Sequence, residues 1–335
     1  MSDEYITLAS RYAYQGSDRF VKILKILMNE DEVKLVNMLP ASPQELSQKL
    51  NKPLDVINKM IQYLFKKGII FESSKGYRPA RDVLQLHDST GSDMRSDEIW
   101  GRDLLDAWWD FSEQELFPQI AKWAQDFLRP VSRILPARSA VAGESRLLPN
   151  EDVHVILDKA TRFAVVTCPC RRMAQKCDRP IEVCLQLNKG ADYAVKRGSG
   201  RELSREEAKE IMQGAAECGL IHSVINASDI GSFICNCCGD CCIFTYPYLK
   251  YGGLEKGIAK SRFEARVDVE SCSGCQDCVE KCHFNAIEMT KVSGQKKLKA
   301  KVDPEKCYGC GVCAVNCTTD CIKLYEVRTP EHIPA

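Results

Sequence analysis

The chain has 335 residues, with 46 basic and 46 acidic side chains and 19 cysteines. This length allows two or three domains, and the zero net charge argues against a generally nucleic-acid-binding surface, though not against a local one. No stretch reaches the roughly 18 uninterrupted apolar residues of a membrane span, and no apolar signal-peptide core follows the acidic N-terminus. All cysteines lie at or after Cys168, with cluster spacing rather than the pattern of a disulfide scaffold. We therefore expect a soluble, reduced, cytoplasmic protein of an anaerobe.

The N-terminal part, residues 1–90, is predicted to hold three helices and a hairpin. A first helix is expected over residues 18–39, where apolar residues recur at helical spacing. A capping box then starts a second helix, with Ser42 as N-cap and Glu45 at the third helical position. A third helix follows, and then two short strands around the turn at 73–76. This order resembles the winged helix-turn-helix family, on pattern rather than on a diagnostic motif.

The resemblance implies a helix that reads DNA, yet the third helix supplies few cations. It carries Lys59, Lys66 and Lys67 against Asp55, and it has no arginine. This is thin for phosphate and base contacts. We therefore expect the winged helix to be a docking or scaffolding element and nucleic acid not to be a partner.

Residues 91–150 are predicted to form a helical connector rich in large aromatic side chains. These are Trp100, Trp108, Trp109, Phe111, Phe117, Trp123 and Phe127. They could form a partner-docking surface, but core packing is the favoured interpretation because large aromatic residues are mostly buried. Pro130, Pro136 and Pro149 are then interpreted as marking a linker.

Residues 151–260 are predicted to be a cysteine-rich iron–sulfur domain. An apolar strand at 163–166 leads into the first of two cysteine clumps, and a helix with a capping box formed by Ser204 and Glu207 separates them. The candidate ligands are Cys168, Cys170, Cys177, Cys184, Cys235, Cys237, Cys238, Cys241 and Cys242.

The second clump contains a ladder of Cys235, Cys238 and Cys241, each two residues from the next. We assign these three to one [4Fe–4S] cluster with one outside ligand. Because adjacent cysteines cannot easily face one cluster, some of the first clump, helped by Cys237 or Cys242, are expected to hold another. The middle region is thus predicted to hold one or two clusters. The competing interpretation is structural zinc, which also binds four thiolates.

The cysteine strings of this middle region are similar to those of proteins of anaerobes described only as 4Fe–4S-binding, a resemblance that names no reaction. The strings are Cys-Pro-Cys-Arg and Cys-x-Cys-Cys-x2-Cys-Cys. Four nearby arginines could screen thiolate charge or bind an anion, or simply be solvated. They are Arg171, Arg172, Arg197 and Arg201.

Residues 261–335 contain two complete cysteine ladders, offset by 35 residues as an internal repeat. They are Cys272-x2-Cys275-x2-Cys278-x3-Cys282 and Cys307-x2-Cys310-x2-Cys313-x3-Cys317. Each half is predicted as strand, cluster loop, short helix and return strand, with Gly274 and Gly309 in the loops. Residues 262–327 resemble the bacterial two-cluster ferredoxin family. Together with the winged helix-like part, the helical connector and the cysteine-rich domain, this predicts an α+β fold class with several domains.

The resemblance implies two [4Fe–4S] clusters with crossed ligation, because the fourth cysteine of each ladder binds the cluster of the other. One cluster is assigned to Cys272, Cys275, Cys278 and Cys317, and the other to Cys307, Cys310, Cys313 and Cys282. His283 and Thr318 stand where the family usually has proline, and an extra Cys321 is interpreted as a buried apolar residue.

A lysine-rich segment, residues 291–301, lies between the ladders and is predicted to be a hairpin turning at Ser293 and Gly294. Its five lysines are Lys291, Lys296, Lys297, Lys299 and Lys301. It could dock an acidic redox partner or merely protect an edge strand.

The motifs of nucleotide-dependent or hydrolytic enzymes are absent from the sequence: no dinucleotide fingerprint follows a strand, and there is no P-loop or nucleophile elbow. No catalytic residue is assigned. We expect an electron-transfer subunit or partner of a larger anaerobic oxidoreductase complex. The alternatives are a redox-sensing winged-helix transcription regulator and a reductase whose middle cluster binds the substrate. A homo-oligomer stays open.

Overall fold

The computed structural model describes residues 3–229 and 231–334. The helices are α1 (Asp3–Arg11), α2 (Asp18–Leu27), α3 (Glu30–Asn37), α4 (Pro43–Leu50), α5 (Leu54–Lys66), α6 (Val83–Gly91), α7 (Ser96–Trp100), α8 (Arg102–Phe111), α9 (Phe117–Ala124), α10 (Val153–Lys159), α11 (Pro169–Ala174), α12 (Lys189–Arg197), α13 (Arg205–Glu217), α14 (Tyr246–Tyr251), α15 (Leu254–Gly257), α16 (Asp277–Glu280) and α17 (Val312–Val315). The strands are β1 (Ile70–Ser73), β2 (Gly76–Pro79), β3 (Ser132–Leu135), β4 (Phe163–Val166), β5 (Cys184–Leu187), β6 (Arg201–Leu203), β7 (Ile221–Ile225), β8 (Phe233–Cys237), β9 (Ile258–Ala259), β10 (Phe263–Val267), β11 (Ile287–Thr290), β12 (Lys299–Val302) and β13 (Ile322–Glu326). Within the described residues, no helix has the length and apolar character needed to cross a membrane.

The chain forms two compact units, and each is built from three separate stretches of the sequence. The first comprises Met1–Leu116, Val166–Gln175 and Tyr193–Arg201. The second comprises Phe117–Val165, Lys176–Asp192 and Glu202–Ala335. The chain is therefore a mixed α/β protein of more than one unit, and the finer division at residues 90, 150 and 260 stays a prediction.

In the first unit, side-chain caps determine where the helices begin. Ser42 and Glu45 form the predicted capping box of α4. The prediction of one helix over 18–39 is wrong, because α2 ends at Leu27 and α3 begins at Glu30. Asn29 separates them: its side chain and that of Glu32 each accept a 2.9 Å hydrogen bond from the other residue's backbone N–H. A second capping box thus interrupts an apolar pattern that is continuous in sequence.

The predicted hairpin of the first unit is confirmed. β1 and β2 pair antiparallel from Ile70↔Pro79 to Ser73↔Gly76. Gly76 has φ +98°, which only glycine adopts readily, so the glycine at this position favours the turn between β1 and β2.

The aromatic residues of α8 pack inside the first unit. Trp108 and Phe111 are fully buried, and the Phe111 ring lies 5.2 Å from that of Phe20. The Trp108 indole N–H donates to the Thr90 hydroxyl at 3.1 Å, so burial leaves this donor satisfied. Core packing is therefore confirmed for these two residues, whereas Trp123, in the second unit, is exposed.

A seven-stranded sheet, in the order β6-β4-β5-β8-β7-β3-β9, forms the centre of the second unit. Helices α10 and α13 contribute Leu157 and Met212 to its core, where they join Leu185 and Ile234 of the sheet. The interpretation of Pro130 to Pro149 as a linker is wrong in part, because β3 lies in this stretch. All four residues of β3 are buried between β7 and β9. Prolines flank so short a strand without interrupting its ladder.

The C-terminal repeat forms two small sheets, and each takes one strand from each half. β10 pairs with β13 and β11 pairs with β12, both antiparallel. The predicted order of strand, loop, helix and strand is confirmed in both halves. Gly309, with φ +65°, lies where a Cβ atom would meet the Phe263 carbonyl oxygen at 2.1 Å, so the cluster loop can approach β10 only with glycine.

Candidate iron–sulfur centres

The second ladder surrounds a small cavity. Cys307, Cys310 and Cys313 line it together with Cys282, the fourth cysteine of the first ladder. The remaining wall is largely apolar and includes Phe284, whose ring stacks on that of Tyr308 at 4.4 Å. The structure therefore brings together the four cysteines of one predicted set in one largely apolar pocket.

The first ladder surrounds a second small cavity. Cys272, Cys275 and Cys278 line it together with Cys317, the fourth cysteine of the second ladder. Cys321 also reaches this wall. Four cysteines around a cavity suit a four-iron cluster, so the residues of both sites fit the group that the crossed pairing assigns to them.

Burial makes the thiols of the second-ladder site hard to ionise without a cation. It raises the pKa of Cys310 to about 12 and that of Cys313 well above its usual value. The backbone N–H of Val312 opposes this effect and lowers the pKa of Cys310. At the fourth cysteine of the site, the backbone N–H of Ala286 donates to Cys282 Sγ at 3.3 Å. Bound iron would supply the positive charge that stabilises the thiolates.

Cys317 and Cys321 compete for the same cavity, and their surroundings differ. The Cys317 sulfur lies 3.6 Å from the Thr319 hydroxyl and 3.4 Å from the Cys321 sulfur. Although burial raises the pKa of Cys317, these contacts and nearby backbone N–H groups outweigh it and lower the pKa. Burial raises the pKa of Cys321 to about 12. This contrast favours Cys317 as the thiolate and Cys321 as a neutral thiol.

In the middle region, strand β8 divides the second cysteine clump between two sites. Cys235 and Cys237 are two residues apart on β8 and therefore share one face of the sheet. The Cys242 sulfur lies 2.9 Å from the Cys237 sulfur. Hydrogen bonding with Cys235 and with Cys242, followed by burial, raises the pKa of Cys237 well above its usual value. These three cysteines form one group.

Cys184 joins this group through the sheet. β5 pairs antiparallel with β8, with Leu185 opposite Ile234. Continuing this register by one residue places Cys184 opposite Cys235, on the same face of the sheet. The other face carries Leu185 and Ile234 in the core. Sequence reasoning could not find this juxtaposition, because it depends on a strand pairing between residues far apart in the chain.

The remaining cysteines of the clump turn towards Cys177. The sulfurs of Cys238 and Cys241 are 3.1 Å apart, and those of Cys177 and Cys238 lie within 4.8 Å of each other and of an Asp240 carboxylate oxygen. Although burial raises the pKa of Asp240, hydrogen bonds with the Cys238 and Cys241 thiols and the charge of Arg179 outweigh it and lower the pKa. Sequence analysis missed Asp240.

These contacts favour a different partition from the one predicted. The ladder spacing joins Cys235 to Cys238 and Cys241, whereas the sulfur contacts join it to Cys237 and Cys242. The alternation of side chains along β8 explains the difference, because neighbours in a strand point to opposite faces. The expectation that adjacent cysteines belong to different sites agrees with these contacts.

The first two cysteines of the middle region, Cys168 and Cys170, belong to the first unit. A hydrogen bond between them, together with burial, raises the pKa of Cys168 well above its usual value. The nearby Arg172 donates to the backbone oxygens of Gly91 and Asp93, at 3.2 and 2.9 Å. The assignment of both cysteines to a cluster stays a prediction.

Two of the four candidate arginines take part in packing within the first unit. Arg172 is buried by the contacts just described, and Arg197 donates to the Ile70 carbonyl at 2.8 Å while its guanidinium lies 4.1 Å from the Phe71 ring centre. This favours a structural role for both. Arg171 is also buried, and Arg201 is exposed.

Comparison with known proteins gives one result. Residues 271–321 match the family described as the 4Fe-4S dicluster domain. Neither the curated proteins nor the solved structures searched contain a match to the chain. The matched segment contains all eight cysteines of the two ladders.

Proposed function

We propose that this chain, whose residues 271–321 form a 4Fe-4S dicluster domain, relays single electrons between a redox partner and the catalytic subunit of an oxidoreductase in a reducing cytoplasm. The observation that carries the proposal is the pair of cavities, each lined by four cysteines drawn from both ladders. A [4Fe–4S] cluster, when bound, supplies one-electron chemistry. The chain holds the thiolates, and its apolar walls limit access of water.

The middle region would extend this relay with one or two further [4Fe–4S] clusters. The first candidate set is Cys184, Cys235, Cys237 and Cys242, supported by the register of β5 on β8. The second is Cys177, Cys238 and Cys241 with Asp240, supported by their short separations. Structural zinc is the competing occupant of these sites.

The lysine-rich hairpin supports docking of an acidic partner, with fewer lysines than expected. Four of the five lysines are exposed, namely Lys291, Lys296, Lys297 and Lys301. Lys299 is buried and donates to the Cys272 carbonyl at 2.6 Å, so it supports the first ladder instead. The exposed lysines would guide a charge-complementary redox partner towards the first-ladder site.

The winged helix-like segment would dock a protein rather than DNA. Directly after α5, Lys67 is buried and donates to the Leu27 carbonyl, so it cannot reach a phosphate. Leu54, Val56 and Tyr63 of the same segment are exposed apolar side chains. Exposed apolar side chains with few cations suit a protein partner better than a phosphate backbone.

Asp240 is the observation that favours a second candidate function, direct reduction of a small molecule. A carboxylate beside Cys177 and Cys238 would give one metal position an oxygen ligand. A carboxylate oxygen is a harder ligand than a thiolate and exchanges more readily on iron. A reductase would then show activity with an artificial donor and no partner protein.

Anaerobic purification, with quantitation of iron, sulfide and zinc together with EPR spectroscopy, tests the proposal. We expect roughly 12–16 iron per chain, from four per cluster. A content of about eight iron with stoichiometric zinc would contradict the proposed middle clusters and remain consistent with two clusters in the dicluster domain. No more than about four iron after full reconstitution would refute the relay.

A further inference from the structure

His283 occupies the position after Cys282 where ferredoxins usually have proline, and both of its ring nitrogens are hydrogen-bonded. Nδ1 accepts from the Gly239 backbone N–H at 3.1 Å, and Nε2 lies 2.8 Å from the Gly219 carbonyl oxygen. A backbone N–H can only donate and a carbonyl can only accept, so the proton of the ring is on Nε2. Proline could make neither contact.

The partner of this histidine lies within the second cysteine clump. Gly239 follows Cys238 directly and precedes Asp240. A Cβ atom on Gly239 would lie 3.2 Å from His283 Nδ1 and 3.2 Å from a Leu249 methyl carbon. The loop can therefore approach the ring this closely because residue 239 has no side chain.

A second contact joins the same two parts of the second unit. Asn316, which precedes Cys317, donates to the carbonyls of Ala216 and Val312, at 3.2 and 3.0 Å. Its side-chain oxygen accepts from Lys281 Nζ at 2.6 Å. The C-terminal end of α13, which includes Ala216, is thus attached beside the fourth cysteine of both ladders.

These contacts limit how far the middle cysteines are from the second-ladder site. The path from Cys238 to Cys282 consists of one peptide unit, the hydrogen bond to the ring, the side chain of His283 and one more peptide unit. Summing these lengths bounds the distance between the two Cα atoms at about 13 Å. Cys282 lines the second-ladder cavity, and Cys238 belongs to the group with Cys177 and Cys241.

We infer that His283 is a positioning residue that holds the loop of Cys238–Cys242 beside the second-ladder site, and that this site exchanges electrons with the centre in the middle region. The inference rests on the proposed relay. The exchange moves one electron from the reduced to the oxidised centre, with no bond made or broken and no proton transferred. The electron then passes between the middle centre and the second-ladder site, between that site and the first-ladder site, and between the first-ladder site and the external partner.

The internal repeat supplies a matched control for testing this inference. His283→Pro introduces the family's usual residue and removes both hydrogen bonds, whereas Thr318→Pro makes the same change at the equivalent, exposed position of the other half. Both variants, with His283→Asn, are made in the full chain and reconstituted anaerobically. The readouts are iron content, hydrogen–deuterium exchange of a peptide containing Gly239, and magnetic coupling in the EPR spectrum of the reduced protein.

With iron content unchanged, we expect His283→Pro to speed exchange of the Gly239 peptide by at least about tenfold and to weaken the coupling between the middle centre and the dicluster domain. Thr318→Pro should leave both unchanged. His283→Asn, whose side-chain oxygen can replace Nδ1 as acceptor, should restore most of the protection. Rescue by asparagine would separate the hydrogen bond from general packing.

Two outcomes would overturn the inference while the relay stands. One is unchanged exchange and coupling in His283→Pro with full iron content. The other is equal effects of His283→Pro and Thr318→Pro. A wild-type protein with zinc instead of iron in the middle region would instead refute the extended relay, and the exchange measurement would then still show whether His283 holds the loop.

Discussion

Crossed ligation makes a sharp prediction for Cys282→Ser. Cys282 follows the first ladder in sequence but lines the cavity of the second, with Cys307, Cys310 and Cys313. Removing one of four thiolates should release that cluster, so the iron content should fall by about four per chain. The cluster of the first ladder should remain, because Cys317 is the fourth cysteine of the first-ladder cavity.

Double variants locate the lost iron without spectral assignment. If Cys282 and Cys310 hold one cluster, Cys282→Ser with Cys310→Ser loses about four iron, no more than either variant alone. Cys282→Ser with Cys275→Ser should lose about eight, because the two residues line different cavities. Iron and sulfide quantitation after anaerobic reconstitution gives the numbers directly.

Cys321→Ser is the matched control. Cys321 also lines the first-ladder cavity, but the ladder spacing gives the fourth ligand position to Cys317, so Cys321 should not be the ligand. Its replacement should leave the iron content unchanged, whereas Cys317→Ser should lower it by about four. The crossed pairing is refuted if Cys282→Ser and Cys275→Ser together lose only about four iron.

The other predictions concern docking, DNA and acid stability. Reversing Lys296 and Lys297 to Glu should slow electron transfer to the native partner and flatten its salt dependence in stopped-flow kinetics, with the buried Lys299 left intact; an unchanged rate would make the hairpin only an edge guard. No sequence-specific DNA binding should appear at physiological salt, because the exposed cations of α5 are few. A nanomolar footprint upstream of its own gene would instead support the alternative of a transcription regulator. Burial lowers the pKa of His222 to about 4 in the folded chain, from the value of 6.5 that applies to the unfolded chain. Below pH 6.5 the unfolded chain therefore binds a proton that the folded chain does not, and the free energy of unfolding falls as the pH falls. From pH 8 to pH 5 the wild type should lose about 2 kcal/mol more free energy of unfolding than His222→Gln, and equal losses in denaturant titrations would contradict this.

The local features of the fold were predictable because their signals are local. Ser42 and Glu45 specify a helix start within four residues, and the ladder spacing specifies the cluster loops. The same logic missed Asn29, because the apolar pattern runs through the second capping box. It also missed β3, whose four residues between prolines acquire their partners only from β7 and β9.

The arrangement of the middle cysteines could not be predicted, because it depends on which strands pair. Cys184 and Cys235 are distant in sequence and become neighbours only when β5 pairs with β8. The role of Lys299 was hidden in the same way, since a lysine in a charged hairpin gives no sign that it will reach the Cys272 carbonyl. Spacing identifies ligand types, while tertiary pairing decides which ligands meet.

The crossed strands of the C-terminal repeat mean that its two halves are complementary fragments of one structure. Each small sheet takes one strand from either side of the exposed turn at Ser293 and Gly294. A backbone nick at this turn would leave two pieces that each lack a strand partner and a fourth thiolate. Their reassembly would then be coupled to metal binding, and two chains could exchange these pieces to form a domain-swapped dimer.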